Sequence, residues 1–459
     1  MELLSRNYSG VQLTKMVYSK QELTNLAKQK FDAGKFQESL DTYYQAYINF
    51  PTTWDSWDAF YLIKCLKNNA TLPQGVEIEN IVTSYLKEEP VKNIYVWYLY
   101  DNHVKNFDKD DIWKHEKAIR KITEISQQKD KRYQEDSYPC PYTQGVFKLL
   151  KAYKKPNLNV NKIQEWIIKL DPNKLSRNET QFTDAEGKIQ KKASDYENYY
   201  SILTALLEKQ QKHKECIDAC DLALSSISKF HYENDIWFKR RKALSLIALG
   251  EIEVGEIILF EITQGHKGQK WFLYKDIAQT QYDNNDYDKA LINFCYAALF
   301  PGDEDKKIQL YLLMARCYYQ LKQHDKCKFL AELIYLIVQK YDLKLTDEVS
   351  KIINHYQINY PTNEIENSLR EKQKQLINIW KQDQLRDKKV LIGKIQKIHS
   401  NQKSGHLITD NNERYFFGMR DVQCNKHQLR EGTTVEFFLK PCQNQQGNPE
   451  DHAVIIKII

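Results

Sequence analysis

The residues best suited to chemistry stand late in the chain. Lys394, Lys397, Lys403, His406, Arg414, Tyr415, Phe416 and Arg420 interleave cations with flat rings over a short stretch. That mixture suits a single-stranded nucleic acid, because cations hold phosphates and rings stack on bases. From Lys388 to Ile459 there are 11 Lys or Arg against 7 Asp or Glu, a net of +4. Such an excess can hold a phosphate backbone while reading few bases. A second cationic run, Lys239-Arg240-Arg241-Lys242, falls on a helical segment and is a candidate for an acidic partner, RNA or peptide. Four consecutive cations cannot share one helical face, so some must point away from any single ligand. A solvated surface is the plainer reading of that run.

Other reactive types are present without a reactive pattern. His399, His406, His427 and His452 are scattered over strands and loops, and neither a metal site nor a catalytic set is expected of them. The nine cysteines show no CxxC and no zinc-type spacing. Cys216 and Cys220 lie four apart on one helical face and read as buried small-residue packing. Glu88/Glu89 and Asp110/Asp111 sit at helix ends, where carboxylates offset the helix dipole. There is no GxxxxGK[ST], Rossmann glycine pattern, HExxH or GxSxG. The expectation is a protein without catalysis, cofactor or metal.

The basic and aromatic residues need a β scaffold. Val390–Ile398, His406–Thr409, Arg414–Phe417, Thr433–Leu439 and His452–Lys457 are short alternating segments. Asp410-Asn411-Asn412 and Gln445-Gln446-Gly447-Asn448-Pro449 separate some of them, and five such strands predict a small closed barrel. The motif order over 389–459 resembles a cold-shock domain, a barrel of the OB type. Gly393-Lys394-Ile395 stands at the family's opening strand, Lys403-Ser404-Gly405-His406-Leu407-Ile408 at its first nucleic-acid motif, and Tyr415-Phe416-Phe417-Gly418-Met419 at its second. Leu429-Arg430-Glu431-Gly432-Thr433-Thr434-Val435-Glu436-Phe437 matches the family's later strand entry, and Ala453-Val454 its last strand. The resemblance implies base stacking on outward rings. On this alignment Lys397 replaces the opening Trp, Gly405 and Leu407 replace the first-motif rings, and Gly418 and Met419 replace two second-motif rings. Phe416 keeps its place, with Tyr415 and His406 as substitutes. Losing three or four rings at roughly 1–3 kcal/mol each would demote a micromolar binder to a negligible one.

Upstream the period is helical and repeats. Gly34-Lys35-Phe36, then Ser39, Leu40, Tyr43, Tyr44, Ala46 and Pro51, pairs a tight turn with small and bulky residues at helical spacing. The pattern recurs on turns at Gln211, Gly250, Asn285 and Lys322. Five residues beyond the turns stand Ser39, Cys216, Gly255, Ala290 and Cys327, and seven before them Ala27, Thr204, Ala243, Ala278 and Ala315. Ala46, Ala223 and Ala297 form a third small column, from which Ile262 and Ile334 depart. Small side chains at fixed offsets let antiparallel helices approach closely, and the spacing resembles the tetratricopeptide repeat (TPR). The resemblance is strongest over 20–51 and 198–340. Between them, helical segments near 57–67, 76–88, 93–106, 110–128, 142–154 and 160–170 read as diverged hairpins broken by Pro51, Pro73, Pro90, Pro139, Pro141, Pro156 and Pro172. Segment 171–195 is polar and reads as an exposed loop. Trp237, Trp271 and Tyr311 read as packing between repeats.

The fold expected is mainly α: a TPR-like α-solenoid of antiparallel helix pairs with a small five-stranded OB-type barrel. The expected divisions are 1–197, N-terminal TPR and diverged hairpins; 198–361, TPR repeats with a closing helix near 346–357; 362–388, a charged linker helix with Leu369, Leu376, Ile379, Trp380 and Leu385 on one side; and 389–459, the barrel. At 459 residues and 42% hydrophobic content the chain can fill several cores, and a net charge of +6 permits nucleic acid without demanding it. The many tyrosines, lysines and asparagines fit the codon bias of an AT-rich genome. No apolar stretch reaches signal or membrane-span length, so a cytoplasmic setting is expected. The function expected is an adaptor holding a protein partner in the TPR groove and RNA or single-stranded DNA on the barrel. The alternative is a pure protein-interaction or oligomerisation scaffold whose barrel has lost nucleic-acid binding. A peptide-sensing receptor is a weaker third reading, since the usual DNA-reading helix-turn-helix is missing. The pairing of modules is similar to bacterial proteins of conflict or anti-phage loci.

Overall fold

The computed structural model describes residues 18–108, 110–131, 140–265, 270–423, 428–443 and 449–458. His427 and Pro139 lie outside the described residues. The chain forms two units, residues 1–212 with 225–232, and residues 213–224 with 233–459. The fold is mainly α, a TPR-like solenoid of antiparallel helix pairs, with a closed five-stranded β-barrel at its end.

In the first unit, α1 (Lys20–Asp32) and α2 (Phe36–Asn49) pack as a hairpin. The Ser19 side chain accepts from the Glu22 amide while the Glu22 carboxylate accepts from the Ser19 amide, a capping box that fixes where α1 starts. Then follow α3 (Ser56–Lys67), α4 (Ile78–Val82), α5 (Glu89–His103), α6 (Ile112–Ile125), α7 (Pro141–Lys154), α8 (Val160–Ile167) and α9 (Asp195–Lys209). Pro90 and Pro141 do not break helices here. They occupy the first turns of α5 and α7, where a missing N–H costs nothing and a fixed φ helps. Segment 171–195 departs from the loop expected. It carries an antiparallel hairpin of β1 (Thr180–Thr183) and β2 (Ile189–Lys192), with Asp184 accepting from the Glu186 and Lys188 amides at 3.1 and 2.8 Å and Gly187 at positive φ. With β2 so little buried, the hairpin leaves no apolar period in the sequence.

The second unit holds most of α10 (His213–Ser226), then α11 (Asn234–Ala248), α12 (Ile252–Gln264), α13 (Trp271–Asp283), α14 (Tyr287–Leu299), α15 (Ile308–Gln320), α16 (His324–Lys340), α17 (Asp347–His355) and α18 (Ile365–Asp383). From α11 to α17 each helix packs against the next.

The repeat arises from two local devices. Gly34, Gln211, Gly250, Asn285 and Lys322 all take left-handed backbone, with φ of +75, +57, +93, +64 and +59°. At each, the following amide bonds back to a carbonyl five residues earlier (Lys35 to Lys30, Lys212 to Leu207, Glu251 to Leu246, Asp286 to Gln281, Gln323 to Tyr318), the Schellman way of closing a helix. Asn69, Asp342 and Gln357 close their helices likewise, without a glycine to advertise it. The second device is the small columns, which are buried throughout: Ser39, Cys216, Gly255, Ala290 and Cys327, with Ala27, Thr204, Ala243, Ala278 and Ala315. Three of these pairs meet across their hairpins. Ser39 Oγ donates to the Ala27 carbonyl at 2.7 Å, Cys327 Sγ lies 3.2 Å from the Ala315 carbonyl, and a Cβ on Gly255 would sit 2.7 Å from the Ala243 carbonyl. One helix presses on the other's backbone, so the position tolerates only a small group.

Helix α18 lies along α14 and α16. Leu369, Leu376 and Trp380 are buried, the Trp380 ring stacks on Tyr311 at 5.7 Å, and Asp383 accepts from Tyr318 Oη at 2.6 Å and pairs with Lys326 at 2.7 Å. Among the described residues no helix is long and apolar enough to cross a membrane.

Candidate nucleic-acid interface

The barrel comprises β3 (Leu391–Ile398), β4 (Ser404–Thr409), β5 (Arg414–Gly418), β6 (Thr434–Gln443) and β7 (Pro449–Ile458). Its strands run β3-β4-β5-β7-β6 and close through an antiparallel β6–β3 pair; β5 and β7 pair in parallel. Ile395, Leu407, Phe417, Val435, Phe437, Ala453 and Ile456 fill it. Alternation along each strand fixes which neighbours face out.

Register then assembles the site. Lys397 pairs with His406, His406 with Phe416, and Phe416 with His452, so these four residues form one row across β3, β4, β5 and β7. A β-bulge between Ile395 and Lys397 re-aims the β3 residue. An adjacent row carries Lys394, Ile408 and Arg414. The Phe416 ring lies 5.7 Å from His406, 4.9 Å from His452 and 6.2 Å from His399. His399 Nε2 is 3.0 Å from His406 Nδ1, and His399 Nδ1 is 2.9 Å from Ser404 Oγ. The His406 imidazole is held below its ordinary pKa by partial burial first, then by the charge of Arg414 and its neighbour His399, with Glu450 opposing.

Of the residues singled out for nucleic acid, Lys394, Lys397, His406, Arg414 and Phe416 are thus brought together. Lys403 and Arg420 are exposed at one end of the barrel, where the Met419 amide donates to the Lys403 carbonyl. Tyr415 goes elsewhere: its ring packs toward the core, 5.9 Å from Phe437, and its hydroxyl donates to Glu413. His399 and His452 belong to the cluster but escape sequence reasoning, because His452 arrives by a parallel pairing of strands distant in sequence. Gly405 and Leu407 do not stand where outward rings would be. Both face inward, and a Cβ on Gly405 would meet the Lys397 carbonyl at 2.5 Å and the Phe417 ring at 2.6 Å. A shift of one residue exchanges the faces of a strand, so His406 and Ile408 hold the outward positions instead.

The barrel touches the helices through other residues. Leu385, just beyond α18, is buried with Val454, Ile455 and Phe438, and Gln382 bonds Gln423 at 2.9 Å. The cationic run on α11 is divided: Lys239 is exposed, Arg240 Nε lies 2.5 Å from the buried Asp276 and over the stacked Trp237 and Phe272 rings, Arg241 is buried, and Lys242 pairs with Asp221 at 2.6 Å. A cavity of about 530 Å³ opens between α13, α15, α16 and α17, lined by Tyr282, Arg316, Tyr319, Cys327, Lys351 and Tyr356.

No family model and no curated protein matches this chain. Solved structures do. The chain is similar to a human IFIT1 dimer with m7Gppp-AAAA, at 14% identity over 80% of this chain and 87% of that one, with a TM-score of 0.27. It is also similar to the TPR domain of P58(IPK), at 13% identity over 80% of this chain and 99% of that one, with a TM-score of 0.18.

Proposed function

We propose that the protein is a non-enzymatic adaptor whose helical repeats hold a protein partner and whose barrel holds RNA or single-stranded DNA. The observation that carries the nucleic-acid half is the outward row Lys397–His406–Phe416–His452 beside Lys394 and Arg414. It joins a stacking surface to phosphate-holding charge on contiguous strands. The strand order, with its parallel pair, supports reading the barrel as OB-type and cold-shock-like, where the second and third strands carry the ligand. The rings missing at Gly405 and Leu407 are replaced on the outer face by imidazoles, and each ring that stacks a base is worth roughly 1–3 kcal/mol. For the protein partner, the cavity between α15 and α17 offers tyrosines with Lys351 and the Arg316–Glu348 pair, and Lys239 offers exposed charge on α11.

Fluorescence anisotropy with labelled single-stranded RNA and DNA across a salt series tests the first half. Binding should weaken as salt rises, and flat traces at low salt for both would eliminate it. Pull-downs with and without nuclease test the second, where a protein retained after nuclease is the expected result. The anti-phage setting implied by the resemblance is tested by phage challenge of cells with and without the chain.

A further inference from the structure

We infer that the histidine cluster makes nucleic-acid binding by the barrel proton-coupled, tightening as pH falls through the range below neutrality. This rests on the proposed nucleic-acid surface and specifies its regulation.

The geometry sets up the coupling. With His399 Nε2 only 3.0 Å from His406 Nδ1, one imidazole must donate and the other accept. Two protonated rings would aim N–H at N–H, so the pair holds together only while at least one of those nitrogens is bare. The surroundings keep it so. His406 is faced by Arg414 on β5, by His399, by Glu450 on β7 and by Lys397 on β3. Ser404 meets the other nitrogen of His399. His452 has Glu450 at 3.9 Å and Lys440 on β6 as its register partner. Cations therefore outnumber carboxylates around the rings, and burial adds to the cost of charging His406.

A phosphate supplies what is missing. An anionic oxygen on this face can accept from His406 Nε2, the nitrogen not engaged with His399, and offsets the charge of Lys397 and Arg414, so the bound state favours protonation more than the free state does. By linkage, a group whose pKa rises on binding takes up a proton as the complex forms, and affinity grows as pH falls toward the free-state pKa. The rings remain stacking surfaces in either form, so the gain in charge need not forfeit base contacts.

The test uses the whole chain and a labelled single-stranded oligonucleotide, with affinities at pH 7.5 and 5.5 at fixed salt. About tenfold tighter binding is expected at pH 5.5 for each pKa unit of coupling. The salt dependence should steepen by about 0.7 in log–log slope per proton taken up. His399→Gln and His406→Gln should each reduce the ratio of the two affinities, whatever affinity they keep at pH 7.5, while His324→Gln on α16 should leave the ratio as it is. Calorimetry at pH 6.5 in buffers of different ionisation enthalpy reads proton uptake directly, at a pH that does not challenge the fold. Equal affinity at both pH values, or no proton uptake, would overturn the inference and leave the nucleic-acid reading standing. No binding at either pH would overturn both.

Discussion

Phe416 and Phe417 are adjacent in sequence and opposite in consequence. Phe416 is half-buried, and its ring neighbours are the barrel histidines His399, His406 and His452. Phe417 is fully buried among Leu407, Phe437 and Ala453. Phe416→Ala removes a stacking ring, so nucleic-acid affinity should fall by roughly 1–3 kcal/mol, about 5- to 150-fold in Kd. Its stability cost should be about 1 kcal/mol, because most of what the ring touches stays hydrated. Phe417→Ala instead opens a cavity in the barrel core, at about 3–5 kcal/mol. A barrel of this size has about that much stability in all, so it should unfold and lose binding as a secondary effect. Anisotropy with a labelled single strand at low salt reads the first quantity, and urea denaturation followed by barrel-specific proteolysis reads the second. If Phe416→Ala binds as the natural chain does, the outer row is not the binding surface. If Phe417→Ala keeps full stability, the inward assignment of that strand face is wrong.

Three further outcomes follow from the helical part. Gly250→Ala should cost about 1–2 kcal/mol by forcing a side chain into left-handed backbone, whereas Lys322→Gly should stabilise by about 0.5–1 kcal/mol by relieving that strain; thermal melts of the two variants should move in opposite directions. Lys307 is 3% exposed, with its ammonium donating to the carbonyls of Ala298 and Phe300 at the end of α14, and burial lowers its pKa to about 8. The unfolded chain then binds more protons between pH 8 and 10.5, so this residue should add about 2 kcal/mol of stability between pH 7.5 and 9.5, a rise that Lys307→Met should abolish in paired denaturation curves. Arg240→Ala removes a cation from the buried Asp276 and should cost about 2 kcal/mol, while Lys239→Ala on the exposed face should stay within about 0.5 kcal/mol of the natural chain. Partner capture lost in Lys239→Ala with no change in melting would mark α11 as a docking face.

The hairpin turns and the small columns were legible because each is a local requirement. A left-handed residue closes a helix, and a small side chain lies against a neighbouring carbonyl, as Ser39 does on Ala27 and Cys327 on Ala315. Both recur at fixed offsets, so repetition reinforces a weak signal. Asn69, Asp342 and Gln357 close helices in the same way, and their residue types alone do not mark the turns. The β1–β2 hairpin leaves no such pattern, because β2 buries little.

The amino-acid order by itself determined that the chain is a set of short helices paired through small residues, ending in alternating strands with a cationic excess. Propensity, turn residues and periodicity act over a few positions, so they survive without a fold around them. Only the tertiary structure decided which side chains share a surface. Strand register turned Gly405 and Leu407 inward and His406 outward, the parallel β5–β7 pair brought His452 beside Phe416, and Asp276 drew Arg240 out of the apparent cationic run. Those are long-range choices made by burial and charge pairing across residues far apart in the chain, and a one-residue shift in any strand would have rearranged the site.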